Sequence, residues 1–282
     1  MLAALMMFRR LTFVSLTAGL ALVQGIGIPG APRVSSPGRA GSPTVRVPVQ
    51  TVPPVAPLPT AHFSTLPVGA ALPSDADCAA RVRKTAEIRP QNAPFNVRAS
   101  GPAQGGFYAR VTGNFAGTTD EISQWASCKW GIDEDIVRAQ AAKESGWFQQ
   151  GRGDWTADST RCVPGHGLGI DGRAGQCPES IGMMQTRYPY LQAAFPMATN
   201  STAYNLDEAL AARRSCFEGN ETWLNQFPRG QNYAAGDLWG CVGMWFAGRW
   251  HTTDADTYTA TVQDYLNSRI WETADFRSWT PV

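Results

Sequence analysis

From residue 118 onward the chain repeats one pattern: apolar side chains at intervals of three and four, punctuated by glycine and by polar capping residues. In TTDEISQWASCKW, Thr118 and Glu121 stand at capping-box spacing, ahead of Ile122, Trp125 and Lys129 at helical intervals. GIDEDIVRAQAAKESGW predicts a second helix. Asp133 is its N-cap, Glu134 and Asp135 bring negative charge to the positive end of the helix dipole, and Gly146 is its stop. Ile136, Val137, Ala139, Ala141 and Ala142 supply its apolar positions. A loop of about 30 residues follows, marked by Gly151, Gly153, Gly165, Gly167, Gly169, Gly172 and Gly175. After SIGMMQTRYPYLQAAF, Asn205 opens a helix through Leu206, Leu210, Arg213 and Phe217 that closes at Gly219. YAAGDLWGCVGMWFAG is apolar all round and reads as a buried helix. A last amphipathic helix runs through Tyr258, Val262, Tyr265, Leu266 and Arg269.

Ahead of this stretch the pattern changes twice. In residues 74–117, FYARVTGNF alternates enough to hint at a strand, but Gly101, Gly105, Gly106 and Gly113 predict an irregular wrapping segment. We read it as an N-terminal extension of a mainly α domain spanning 118–282. Residues 26–73 hold eleven of the twenty prolines, three arginines and no acid, so they predict a Pro-rich, disordered tether rather than a folded module. FRRLTFVSLTAGLALVQG, residues 8–25, pairs two arginines with a hydrophobic run too short to span a bilayer. A signal peptide over 1–25 and a secreted product follow, with no stable membrane insertion after cleavage.

Charge and cysteine narrow the picture further. Beyond residue 73 there are 19 Lys and Arg against 23 acids, which argues against nucleic acid as the main ligand. The six cysteines include no Cys-x-x-Cys, and His62, His166 and His251 are scattered, so disulfides are expected rather than a metal site. Local spacing favours Cys162 with Cys177, stapling the Gly-rich loop, and Cys216 with Cys241. Cys78 is then left to tie the extension to Cys128. No cofactor is expected, and the chain is read as a monomer.

Glu144 poses the chemical question. It follows Val137 by seven residues, Gln140 by four and Ala141 by three, which sets it on a small, semi-apolar helix face. An inward carboxylate loses hydration and holds its proton to higher pH, the condition a general acid needs. The bland alternative is an end-of-helix charge pairing with Lys143 or an arginine. A second set of residues bears on the choice: Ser180, Gly182, Met184 and Gln185 in CPESIGMMQTRYPY. Glu-Ser followed by Ser-x-Gly-x-Met-Gln resembles the soluble lytic transglycosylases and goose-type lysozymes over about residues 118–270.

That resemblance implies a lysozyme-like helical fold, peptidoglycan glycan strands as substrate in or near the cell wall, and Glu144 as catalytic acid. It places Ser145, Ser180, Met184 and Gln185 along the cleft, and Asn205 and Leu206 match a third short motif. WFAG at 245–248 falls where the family often has a tyrosine that steadies the acid. Trp245 can donate an indole N–H there but supplies no phenol, which leaves the partner of Glu144 open. The stapled Gly-rich insertion is expected to form a wall of the cleft. Trp147, Trp155, Trp245 and Trp250 are candidates for stacking on sugars, Trp147 and Trp155 the better ones, while Trp245, on an apolar helix, reads rather as core packing. Of Met183 and Met184, one should fill core and the other face the groove.

Glycosidases commonly use two carboxylates. Asp154, Asp158 and Asp171 are candidates for the second, although each reads more simply as a solvated loop acid. The resemblance implies that lytic transglycosylases do without it and form anhydro ends. A hydrolytic muramidase and a catalytically silent glycan-binding protein are the rival readings.

Overall fold

The computed structural model describes residues 61–102 and 104–279; the expected signal peptide and most of the expected tether lie outside them. The elements are α1 (Asp75–Arg81), α2 (Thr119–Trp130), α3 (Glu134–Ser145), β1 (Arg152–Thr156), β2 (Cys177–Ile181), β3 (Thr186–Arg187), α4 (Met197–Asn200), α5 (Thr202–Phe217), α6 (Leu238–Ala247), α7 (Thr253–Asn267) and α8 (Ala274–Ser278). The described part is mainly α, with one small antiparallel sheet in the order β1-β2-β3. Helix α5 is the axis of the core, and every one of its residues is buried. Helices α2, α4 and α6 pack against it, while α7 packs against both α3 and α6.

Helix ends follow local chemistry. The Asp133 carboxylate accepts from the Asp135 and Ile136 N–H groups at 2.9 and 3.2 Å, and Gly146 ends α3 in the left-handed region at φ 62°. A Cβ on Gly146 would run into the Trp279 ring, so glycine is required twice over. Thr118 caps α2 through the Glu121 N–H at 3.2 Å. The Glu121 carboxylate turns away to the Thr85 N–H and the Lys84 ammonium, so the expected reciprocal box is only half made.

Three expectations need correction. Helix α5 begins at Thr202 under a Ser201 cap, and Asn205 lies buried in its first turn. The Gly-rich stretch is not a plain loop: β1 pairs with β2 from Arg152↔Ile181 to Thr156↔Cys177, a long-range pairing that the short polar RGDWT segment does not advertise. FYARVTGNF forms no strand, in keeping with the irregular segment its glycines predict: residues Gly106–Arg110 wind into a 3-10 turn. The folded part also reaches back past the expected tether boundary. Phe63 is buried, and its carbonyl accepts from the Glu134 N–H at 3.0 Å. Leu66 N–H donates to Gly131 O at 3.0 Å, while the Leu66 and Pro67 carbonyls accept from the Arg214 guanidinium. Isolated apolar residues in a Pro-rich run found partners far along the chain, which no local pattern reveals.

The cysteines pair as Cys78–Cys128, Cys162–Cys177 and Cys216–Cys241. The first ties the extension to α2, the second closes the Gly-rich loop onto β2, and the third joins α5 to α6. Among the described residues, no helix is long and apolar enough to cross a membrane.

Candidate active site

Five elements converge where α3 ends. Helix α3 presents Glu144, and one turn earlier Gln140 on the same face. Helix α7 brings Tyr258, whose hydroxyl donates to Glu144 Oε1 and accepts from Gln140 Nε2 at 3.1 Å. Helix α6 brings Trp245 and Phe246. The Phe246 ring lies parallel on Tyr258, with centroids 4.7 Å apart, and remains 53% exposed. The Trp245 indole donates to Met184 O at 3.0 Å in the turn between β2 and β3. Strand β1 brings Asp154, and α5 brings the buried guanidinium of Arg213, 5.0 Å from the centroid of the Trp245 ring.

Electrostatics set Glu144 apart from a surface carboxylate. Burial pushes its carboxyl up to about 7, against the pull of the Tyr258 hydroxyl and Arg213. Asp154 adds to the rise, and Lys143 opposes it. Burial and the adjacent carboxylate hold the Tyr258 phenol well above its ordinary range, so it stays a donor throughout the physiological range. A carboxyl poised near neutrality, oriented by a phenol and beside an exposed aromatic face, can give a proton to a bound leaving group and take one back.

The other expected site residues divide. Ser145 is partly exposed, and its hydroxyl donates to Met183 O at 2.8 Å, joining the end of α3 to the β2–β3 turn. Gln185 is partly exposed at φ 51°, donates to Gly182 O at 2.9 Å, and lies against Gly153, where any Cβ would collide with its amide oxygen. Gly182 holds φ 93° beside the Asn205 amide, with no room for a Cβ. Asn205 accepts from the Met184 N–H at 2.8 Å and donates to Ile181 O at 3.1 Å, so this turn is locked from the α5 side. The second motif thus positions backbone rather than presenting a row of side chains.

Three assignments change accordingly. Trp147, expected to stack on sugars, is core: it is 1% exposed, donates to Arg138 O at 2.9 Å and meets Phe276 edge-on. Ser180 is fully buried, its hydroxyl given to the Asp154 carboxylate. Met183 and Met184 are both fully buried, so neither side chain faces the groove. Trp155 keeps partial exposure under the Arg173 guanidinium, whereas Trp250 packs in the core on Tyr233. Asp158 caps its own 3-10 turn through Thr160, and Asp171 is paired with His166 and Arg152 rather than solvated.

Tyr258 and Phe246 were missed as site residues. Tyr258 read only as one of the apolar-face positions of α7, and Phe246 as one more apolar residue in a helix expected to be buried. Asp154 and Gln185 hold φ of 49° and 51° beside this site, conformations costly to non-glycine residues. Elsewhere, His62, Glu134 and Asp135 bring possible ligand atoms within 4.8 Å of one another. Arg83 and Arg138 already occupy Glu134, and Arg138 and Arg269 occupy Asp135, so arginines neutralise the cluster. No family model, curated protein or solved structure matches the chain.

Proposed function

We propose that the chain is a secreted enzyme that cleaves the glycosidic bonds of peptidoglycan, a lytic transglycosylase on a lysozyme-like helical scaffold. The observation that carries this reading is Glu144: a carboxyl near neutrality, held by Tyr258 and flanked by the exposed Phe246 ring. Protonated Glu144 donates to the leaving glycosidic oxygen as the C–O bond breaks and positive charge grows at the anomeric carbon. The substrate's N-acetyl oxygen shares that charge. Glu144, now a carboxylate, takes the proton of the muramyl 6-hydroxyl, whose oxygen closes on the anomeric carbon, and no water enters the product. Phe246 offers a flat apolar face to a sugar ring while its other face keeps Tyr258 in place.

A hydrolytic muramidase is the second reading, and Asp154 favours it: this exposed carboxylate acts on the Glu144 charge and is placed to activate a water. Mass analysis of purified peptidoglycan digested with the protein separates the two. Anhydro-muramyl ends are expected; ends heavier by one water would replace this reading with the hydrolytic one, and no new ends would support the silent glycan-binding reading.

A further inference from the structure

Helix α5 buries two consecutive arginines and treats them in opposite ways. Arg214 is saturated: Nε donates to Glu218 at 2.8 Å, Nη1 to Leu66 O and Gly131 O at 2.9 Å each, and Nη2 to Pro67 O at 2.6 Å. The other buried arginines among the described residues are equally well supplied. Arg89 donates to carbonyls of Ile88, Gly146, Phe276 and Arg277, and Arg138 to the carboxylates of Asp120, Glu134 and Asp135. Arg213, 1% exposed, has no hydrogen-bond partner among the described residues at Nε, Nη1 or Nη2.

An unpaired buried cation is expensive, and a guanidinium cannot escape by losing its proton near neutral pH. Burial brings Arg213 down only to about 10. The Trp245 ring face gives it a weak attraction but no counter-charge. The titratable groups that act on it are Glu144 from α3 and Tyr258 from α7. Glu144 in turn feels Tyr258, Asp154 from β1 and Lys143 on its own helix, besides Arg213.

We infer that Arg213 is a positioning residue of the Glu144 site, a fixed buried cation that stabilises the carboxylate Glu144 becomes on giving up its proton. The inference deepens the reading of Glu144 as proton donor and rests on it. Before the step, the site holds the Arg213 charge without a counter-ion; after it, the new carboxylate supplies one. Proton release is thereby favoured in a pocket whose burial alone would hold the proton too tightly, while Arg213 keeps its own protons throughout. Its unused hydrogen-bonding capacity is what distinguishes it from Arg214, whose donors hold the chain together.

Carbon-13 labelling of glutamate side chains, with the Glu144 signal assigned by its loss in Glu144→Gln, gives the midpoint of this carboxyl in the free protein by NMR titration. Arg213→Met should move the midpoint upward by about one pH unit, while Arg213→Lys leaves it near the wild type. An unmoved midpoint in Arg213→Met, or equal shifts in both variants, would overturn the inference. Should Arg213→Met not fold, Arg213→Gln provides the same neutral comparison. The titration needs no substrate, so failure of the glycan-cleavage reading, seen in the digest, is scored separately.

Discussion

Helix α5 carries charge into two parts of the interior, and the two parts are built on different terms. In its first half, Asp207 accepts from the Thr112 and Gly113 N–H groups at 2.8 and 2.9 Å, from Lys129 at 2.7 Å and from the Trp130 indole at 2.6 Å. In its second half, Arg213 has no such partner among the described residues, and Glu144 across from it has one phenol there. Glu208 sharpens the contrast. Burial lifts its carboxyl to about 7, the same as Glu144, yet it is 1% exposed and answered by Gln104 at 2.6 Å. A raised carboxyl does not by itself mark a proton donor; access and an incompletely satisfied surrounding do. Where α5 meets residues 104–113 the polar groups specify packing, and where it meets α6 and α7 satisfaction is given up in favour of a titratable group.

The contrast can be broken from either side. The largest effect is expected at the satisfied end. Asp207→Ala strands Lys129 without its buried partner and should cost about 3–5 kcal/mol in denaturant unfolding, with the cleavage rate per folded molecule at the wild-type level. At the unsatisfied end the sign reverses. Glu144 has a folded-state carboxyl near 7 against an ordinary 4.5, so its contribution to stability is intact below about 4.5 and is lost as pH rises through 7. Glu144→Gln, neutral at every pH, should therefore stabilise the fold at pH 8 by at most about 3 kcal/mol, a gain that vanishes by pH 4 in thermal melts. The smallest effect tests the phenol. Tyr258→Phe removes the donor that favours the Glu144 carboxylate, so cleavage should fall about tenfold and its alkaline limit should move to higher pH. An unmoved limit would detach Tyr258 from the acid.

Much of this contrast was legible only in pieces. The caps of α3 were readable because Asp133 and Gly146 act within one turn of the residues they serve, and the inward face of Glu144 followed from its spacing to Val137 and Ala141. The disulfide pairs followed from nearness along the chain for Cys162 with Cys177 and Cys216 with Cys241, and by remainder for Cys78 with Cys128. The partner of Glu144 was not readable. A phenol was sought in the WFAG segment, but it comes from α7, where Tyr258 resembled any other core tyrosine; Trp245 instead braces the Met184 turn. Trp147 looked available because it follows the glutamate closely, yet the turn at Gly146 swings it back into the core. The β1–β2 pairing and the course of residues 61–73 depend on contacts distant in sequence, where local propensity is silent.

One digest tests the central claim most directly: purified peptidoglycan treated in parallel with the wild type, Glu144→Gln and Glu208→Gln. The account predicts new glycan ends from the wild type and from Glu208→Gln at similar rates, and a loss of at least about 100-fold in Glu144→Gln. Equal cleavage by Glu144→Gln and the wild type, or loss of cleavage in Glu208→Gln alone, would contradict it.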